Sequence, residues 1–418
     1  MSDKVPVTRS FLQASVLLFV CSNAAVVFQF VFQSVMRHEL PPGDFSLMNS
    51  LFSMMGFFSI PISVLGSIWI RKLAELRARG QLGLAVHYFK MMTLYSLVYA
   101  ALACAVLFFQ MEPLKIFLNT SNGFAVSSFI FGLIAVFGLS MAGVFLQGMQ
   151  AFGFIALAAL LTPLLRLLLG YFLLKVGWGV SAGVWATSLQ GLVLFFATLW
   201  YLIRHELHKQ PYHPGKEAHH WKAGDIWVPA VSMVIATVLM NSDFVLVQHF
   251  FPPAAADRFA SAALFGHSMV FFLMPIASVV LPKVVDHFVG WEQAERSVAR
   301  KSLALSLGLA LAMAAAGTVL AGVVLKVFAG KTDPETLTLI RWFLWAIIPM
   351  ALAFICLNAL VARLQGGLIL FCLVISLLLP AMIAWNHGKL SDVLVAHCTV
   401  GTLLLSVMVF GNLHRLKT

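Results

Sequence analysis

The chain has 418 residues, of which 61% are hydrophobic and only 10% charged, and its mean hydropathy is +0.94; a soluble domain carries about 25% charged residues. This excludes a soluble catalytic domain and identifies an integral membrane protein. The formal net charge of +11 is no nucleic-acid footprint, because no polar, basic domain exists to carry it, and no nucleic-acid partner is expected.

A spanning helix needs about 20 mostly apolar residues, and twelve such runs follow one another. The first six cover residues 11–36, 45–70, 88–109, 123–146, 151–174 and 179–202. The second six cover 226–250, 261–281, 302–327, 339–361, 367–385 and 393–413. The first run is too long for the core of a signal peptide, so it is read as a span. These runs predict an all-α integral membrane fold of about twelve helices: an N-lobe over 1–203, a cytoplasmic linker over 204–225 and a C-lobe over 226–418.

FFSIPIS at residues 57–63 returns as FFLMPIA at residues 271–277, 214 positions later and without a gap. The same offset pairs Phe45 with Phe259, Phe30 with Phe244, and Gln29 with Asp243. Self-similarity at a fixed offset is the mark of duplication, and six spans per half make the repeat parallel. Carriers of this plan place their substrate path between the halves, so a central inter-lobe cavity is expected.

Cytoplasmic loops collect Lys and Arg. Alternate loops here hold Lys4 and Arg9, Arg71 to Arg79, Arg204 to Lys222, Lys283 to Lys301, Arg363, and Arg415 with Lys417, which is 17 of the 27 basic residues. The opposite loops hold eight, from Arg37 to Lys389. Both termini are therefore placed in the cytoplasm, and the location expected is the bacterial cytoplasmic (inner) membrane. The five cysteines all lie in apolar runs and read as small core residues.

An ionisable group deep in a span is a functional hypothesis by default. Asp243, in span seven, is read either as a direct substrate or ion contact or as a lobe-packing group. Arg166, in TPLLRLLLG, either binds phosphate oxygens through its planar fork or acts structurally, holding carbonyls or a carboxylate. The two lie at similar depth, so a pairing that closes in one state and parts in another is a further reading. His267 in span eight either follows proton movement or is satisfied by a neighbouring hydroxyl. Ser22, Gln29 and Gln33 share one face of the first span, and Thr237, Asn241 and Gln248 form a second polar stripe; such stripes line a wet cavity or bond to another helix. The linker HELHKQPYHPGKEAHHW holds five histidines, but without ligand spacing it reads as a solvated tether rather than a zinc site.

The hairpin MRHELPPGDFSLMNSLFSMMGFFSIPISVLGSIWIRKLAE and its later copy NSDFVLVQHFFPPAAADRFASAALFGHSMVFFLMPIASVVLPKVV resemble the polysaccharide and oligosaccharide-lipid flippases (Wzx-like exporters) of the multidrug/oligosaccharidyl-lipid/polysaccharide exporter (MOP) superfamily. The shared features are a short outer loop before Asp44 and Phe45, an acid in the first helix of the copy (Asp243), an aromatic after the outer loop (Phe259), and Pro282 where the next helix reaches the cytoplasm. The resemblance implies an alternating-access flippase moving an undecaprenyl-pyrophosphate-linked sugar unit from the inner to the outer leaflet. It makes Arg166 an anion contact and Gln29, Gln33 and Asn241 sugar contacts. The partners expected are the lipid-linked oligosaccharide, membrane lipid and a coupling proton or sodium ion, with no cofactor and a monomeric state. The alternatives are a cation- or proton-coupled multidrug antiporter of the same superfamily, using Asp243, and a membrane glycosyltransferase or polymerase. The outer loops are too short for the latter, and the Gly-x-x-x-Asp-Arg loop of major-facilitator carriers is absent from RKLAELRARGQLG.

Overall fold

A computed structural model describes residues 7–211, 223–286, 292–330, 332–362 and 366–414. Side chains are described for these except at 7–20, 22–23, 223–225, 274–286, 292–302, 359, 361–362, 366 and 411–414. Three linker histidines (His213, His219, His220), Ser22 of the first polar stripe and the side chains of Pro275 and Pro282 thus lie outside the described residues.

The described residues are helical and contain no strand. In the first half, α1 (Val7–Glu39), α2 (Asp44–Ala78), α3 (Leu82–Phe109), a short α4 (Met111–Phe117), α5 (Gly123–Gly148) and α6 (Phe152–Lys175) precede α7 (Val180–Leu189) and α8 (Leu192–Arg204). In the second, α9 (Ala223–Phe250), α10 (Pro253–Asp286) and α11 (Glu292–Ala329) lead to α12 (Pro334–Ala346), α13 (Ile348–Ala362), α14 (Gly366–Trp385) and α15 (Leu390–His414). Ten stretches among the described residues are long and apolar enough to cross a membrane. Helices α1 and α10, of 33 and 34 residues, are two more of spanning length. The chain is a multi-pass, all-helical membrane protein of about twelve spans.

Two of the twelve apolar runs fold as broken helices. The sixth divides into α7 and α8 beside Gly191, whose bare Cα lets Leu139 of α5 approach to 2.9 Å of where a Cβ would stand. The tenth divides into α12 and α13 just before Pro349, whose ring lacks an N–H and crowds the carbonyl four residues back. Elsewhere helices outrun their apolar stretch. At the end of α2, Glu75 pairs with Arg79 at 2.6 Å and with Lys72 at 3.7 Å, and spacings of three and four residues carry the helix into its polar segment.

Corresponding helices pack alike inside the two halves: α1 on α6 as α9 on α14, α3 on α5 as α11 on α12, and α6 on α7 as α14 on α15. This is the packing a duplicated six-span bundle should have. By compactness the chain forms two units, residues 1–40 with 61–220, and residues 41–60 with 221–418. The division falls within α2 at Pro61, so the first half of α2 is counted with the later helices.

Local bonding explains that assignment. Asp257, 2% exposed near the start of α10, accepts from the backbone N–H of Gly43 and of Ser46, each at 2.8 Å. Gly43 immediately precedes α2 and Ser46 lies in its first turn, whose N–H groups have no partner within the helix, and an anion there also opposes the helix dipole. Gly43 is required on two counts: its φ is +92°, and a Cβ would lie 2.6 Å from Pro253. Further along α2, the Ser50 hydroxyl donates to the Phe244 carbonyl at 2.8 Å. Asp257 is thus the cap of a helix more than 200 residues earlier in the chain. Replacing Asp257→Ala should lower stability by about 1–2 kcal/mol, seen as a reduced thermal unfolding midpoint in detergent, with Asp257→Asn recovering part of the loss.

Candidate functional site

Three helices of the second unit converge on a buried polar cluster. Asp243 stands seven residues before the end of α9, and His397 seven residues after the start of α15, each about 10 Å along its helix. His267 comes from α10. Their exposures are 0% for Asp243, 0% for His397 and 4% for His267. Asp243 Oδ2 lies 3.2 Å from Nε2 of His267 and 3.2 Å from Nε2 of His397.

The surroundings hold these rings in place. Phe343 of α12, itself 0% exposed, sits with its ring centre 5.5 Å from that of His267 and 5.2 Å from that of His397. Phe244 meets His267 edge-on at 5.4 Å. Phe343 comes this close because residue 266 is glycine: a Cβ there would lie 2.0 Å from its ring. The start of α12 is tied to α10 outside the membrane by Arg258, which pairs with Asp333 at 3.2 Å and also with Glu335. Burial works against ionisation of the Asp333 carboxyl, but hydrogen bonds from Thr336 and the Arg258 charge outweigh it and hold the group below the usual carboxylate range.

His397 Nδ1 lies 2.8 Å from the carbonyl of Val393, one turn back. That carbonyl can only accept, so Nδ1 carries a proton, and in the neutral form of the ring Nε2 presents a lone pair. Oδ2 of Asp243 and Nε2 of both histidines are buried without a hydrogen-bond partner of acceptable geometry. Electron-rich atoms of a carboxylate and of an imidazole thus face a common point in a dry interior, an arrangement that calls for a positive charge among them.

The first unit carries a buried base in the apolar stretch of α6. Arg166 of α6, 4% exposed, has its guanidinium carbon 4.1 Å above the ring centre of Phe32 on α1, a cation–π contact. Gly170, one turn on, makes the approach possible, since a Cβ there would lie 2.7 Å from both Phe32 and Met36. At the ends of these helices Lys175 pairs with Glu39 at 3.0 Å.

Of the residues singled out in the sequence, the fold brings Asp243 and His267 together. His267 meets a carboxylate and a second imidazole rather than a hydroxyl. Gln33 is buried on α1 and Gln29 is exposed. Asn241 is half-buried, donates to the Thr237 carbonyl at 3.0 Å and packs on Gly56, where a Cβ would lie 3.1 Å from its Oδ1. Within the second unit Asp243 meets His267 and His397, and within the first Arg166 lies over Phe32. His397 was not singled out, although an ionisable ring inside VLVAHCTVGTLLL satisfies the rule that drew attention to Asp243.

No protein-family model matches the chain, and no curated protein matches it. Solved structures do. An inward-facing multidrug resistance MATE family transporter of the MOP superfamily is 12% identical, with a TM-score of 0.72 over 97% of this chain and 98% of that one. The lipid II flippase MurJ in an inward closed conformation is 11% identical, with a TM-score of 0.72 over 95% of this chain and 87% of that one. A MOP superfamily transporter from Pyrococcus furiosus is 13% identical, with a TM-score of 0.58 over 97% of this chain and 95% of that one. The fold is that of MOP superfamily transporters.

Because Gly266 sets the spacing of His267 and Phe343, Gly266→Ala should destabilise the protein by about 1–3 kcal/mol. Thermal unfolding of the purified variant measures this, and Gly308→Ala, where a Cβ meets nothing within 4 Å, should leave the midpoint unchanged.

Proposed function

We propose that the chain is an alternating-access transporter that flips a lipid-linked oligosaccharide, carried on undecaprenyl pyrophosphate, from the inner to the outer leaflet for export of cell-surface polysaccharide. In this reading residues 1–203 and 226–418 are the two bodies of the cycle, joined by the linker 204–225. The observation that carries it is how the buried charges are distributed. The deep acid, Asp243, is enclosed by two imidazoles, which leaves it poorly placed to receive an organic cation. The deep base, Arg166, has a delocalised fork suited to phosphate oxygens. At 4% exposure Arg166 reaches substrate only after its surroundings rearrange, so anion contact belongs to one state of the cycle. Gln29, Gln33 and Asn241 supply hydrogen bonds to sugar hydroxyls, while Asp243 and His267 serve an ion rather than the glycan.

A second reading, a cation- or proton-coupled multidrug antiporter, is favoured by the likeness to a MATE family transporter. A deletion strain separates the two. Lipid-linked sugar accumulating on the inner leaflet supports the flippase, whereas unchanged glycan with new drug sensitivity supports the antiporter. Within the flippase reading, Arg166→Lys keeps the charge but loses the planar fork. Loss of a charged hydrogen bond worth about 1.5–3 kcal/mol should cut complementation of the deletion strain roughly 10- to 100-fold, measured as the rate of surface glycan appearance.

A further inference from the structure

We propose that Asp243, His267 and His397 form a binding site for one divalent transition-metal ion of the zinc class. The donor set is two imidazole nitrogens and one carboxylate oxygen, the mixture that suits zinc and its neighbours rather than sodium, magnesium or calcium, which take oxygen ligands. All three donor atoms lie within 4.8 Å of one another. Both oxygen-to-nitrogen separations are 3.2 Å; ligands held about 2.0–2.1 Å from a tetrahedral metal are separated by about 3.3 Å. The two contacts therefore have the length of a coordination edge and lack the geometry of a hydrogen bond. Rotation of one imidazole toward the other completes the three-ligand face.

The second shell is that of a ligating histidine. Donation from His397 Nδ1 to the Val393 carbonyl fixes the ring and leaves Nε2 as the donor, the usual arrangement around bound metal. Phe343 and Phe244 wall the cluster with apolar surface, which raises the cost of leaving its lone pairs unmatched. The ligands come from three separate helices, α9, α10 and α15, so a bound ion joins elements that the chain connects only through long excursions. The site stands on these residues alone and is independent of which substrate the transporter carries.

Linker histidines would also capture zinc, so the test uses the full chain in detergent with His205→Ser, His208→Ser, His213→Ser, His219→Ser and His220→Ser as the parent. After chelator stripping, exposure to Zn2+ alone and desalting, elemental analysis should find close to one equivalent of zinc. The thermal midpoint should rise with Zn2+ and fall again with chelator. His397→Gln and Asp243→Asn should each weaken retention by at least about 100-fold, beyond the 10–100-fold cost of losing a second-shell partner, and abolish the Zn2+-dependent shift. A parent that retains no zinc and whose midpoint ignores both Zn2+ and chelator overturns the proposal and leaves a cluster that shares a proton instead. Equal retention by parent and variants also overturns it. Should the variants fail to fold, Co2+ added to the stripped parent decides: ligand-field absorption saturating at one equivalent supports the site, and its absence refutes it.

Discussion

Placing a carboxylate inside a membrane-spanning helix is costly, about 2.5–3.5 kcal/mol at the helix centre on insertion scales, and Asp243 is 0% exposed. Much of the second unit can be understood as the means of meeting that cost. Two histidines from two other helices face the carboxylate, Phe343 seals them from one side, and Gly266 lets Phe343 come close enough to do so. The Arg258 pairs at the start of α12 hold that helix to α10. Removing any of these exposes or misaligns a group that has no alternative partner in an apolar interior.

The duplication explains the scaffold but not the chemistry. Corresponding helices pack alike within each half, and Phe45 and Phe259, which the repeat pairs, are 0% and 1% exposed. At the repeat-related positions Gln29 and Asp243 the halves diverge, since Gln29 is exposed and Asp243 is buried. The buried base shows the same division of labour, since Arg166 rests on Phe32 through the gap left by Gly170. One half has kept an enclosed acid and the other an enclosed base, each allowed by a glycine that lets an aromatic ring approach.

This asymmetry bears on the proposed function. A carrier of organic cations benefits from an accessible acid in its path, whereas a carrier of a pyrophosphate-linked glycan benefits from an arginine fork and uncharged hydrogen-bonding side chains. The chain has its acid enclosed by two imidazoles and its arginine buried against an aromatic ring. The similarity at 11–13% identity to a MATE transporter, to MurJ and to a P. furiosus MOP transporter establishes the fold they share; the proposed cargo rests on the side chains.

Hydropathy alone was enough to define a twelve-span helical membrane protein, because the bilayer imposes a minimum apolar length that any sequence window reveals. The offset of 214 residues likewise exposed the duplication, since aligned Phe and Pro residues survive as pattern without reference to contacts. The rarity of charge in apolar runs marked Asp243, Arg166 and His267, and applied evenly would have marked His397. Which of these meet was beyond the sequence: His267 and His397 are separated by 130 positions, and nothing local to either says that both rings turn toward one oxygen. Asp257 was hidden for the same reason, as its partners Gly43 and Ser46 lie 214 and 211 residues away, and a loop acid looks the same whether it faces water or caps a helix. Linear pattern records what each residue costs in a membrane, whereas the partner that offsets the cost is chosen by how helices pack.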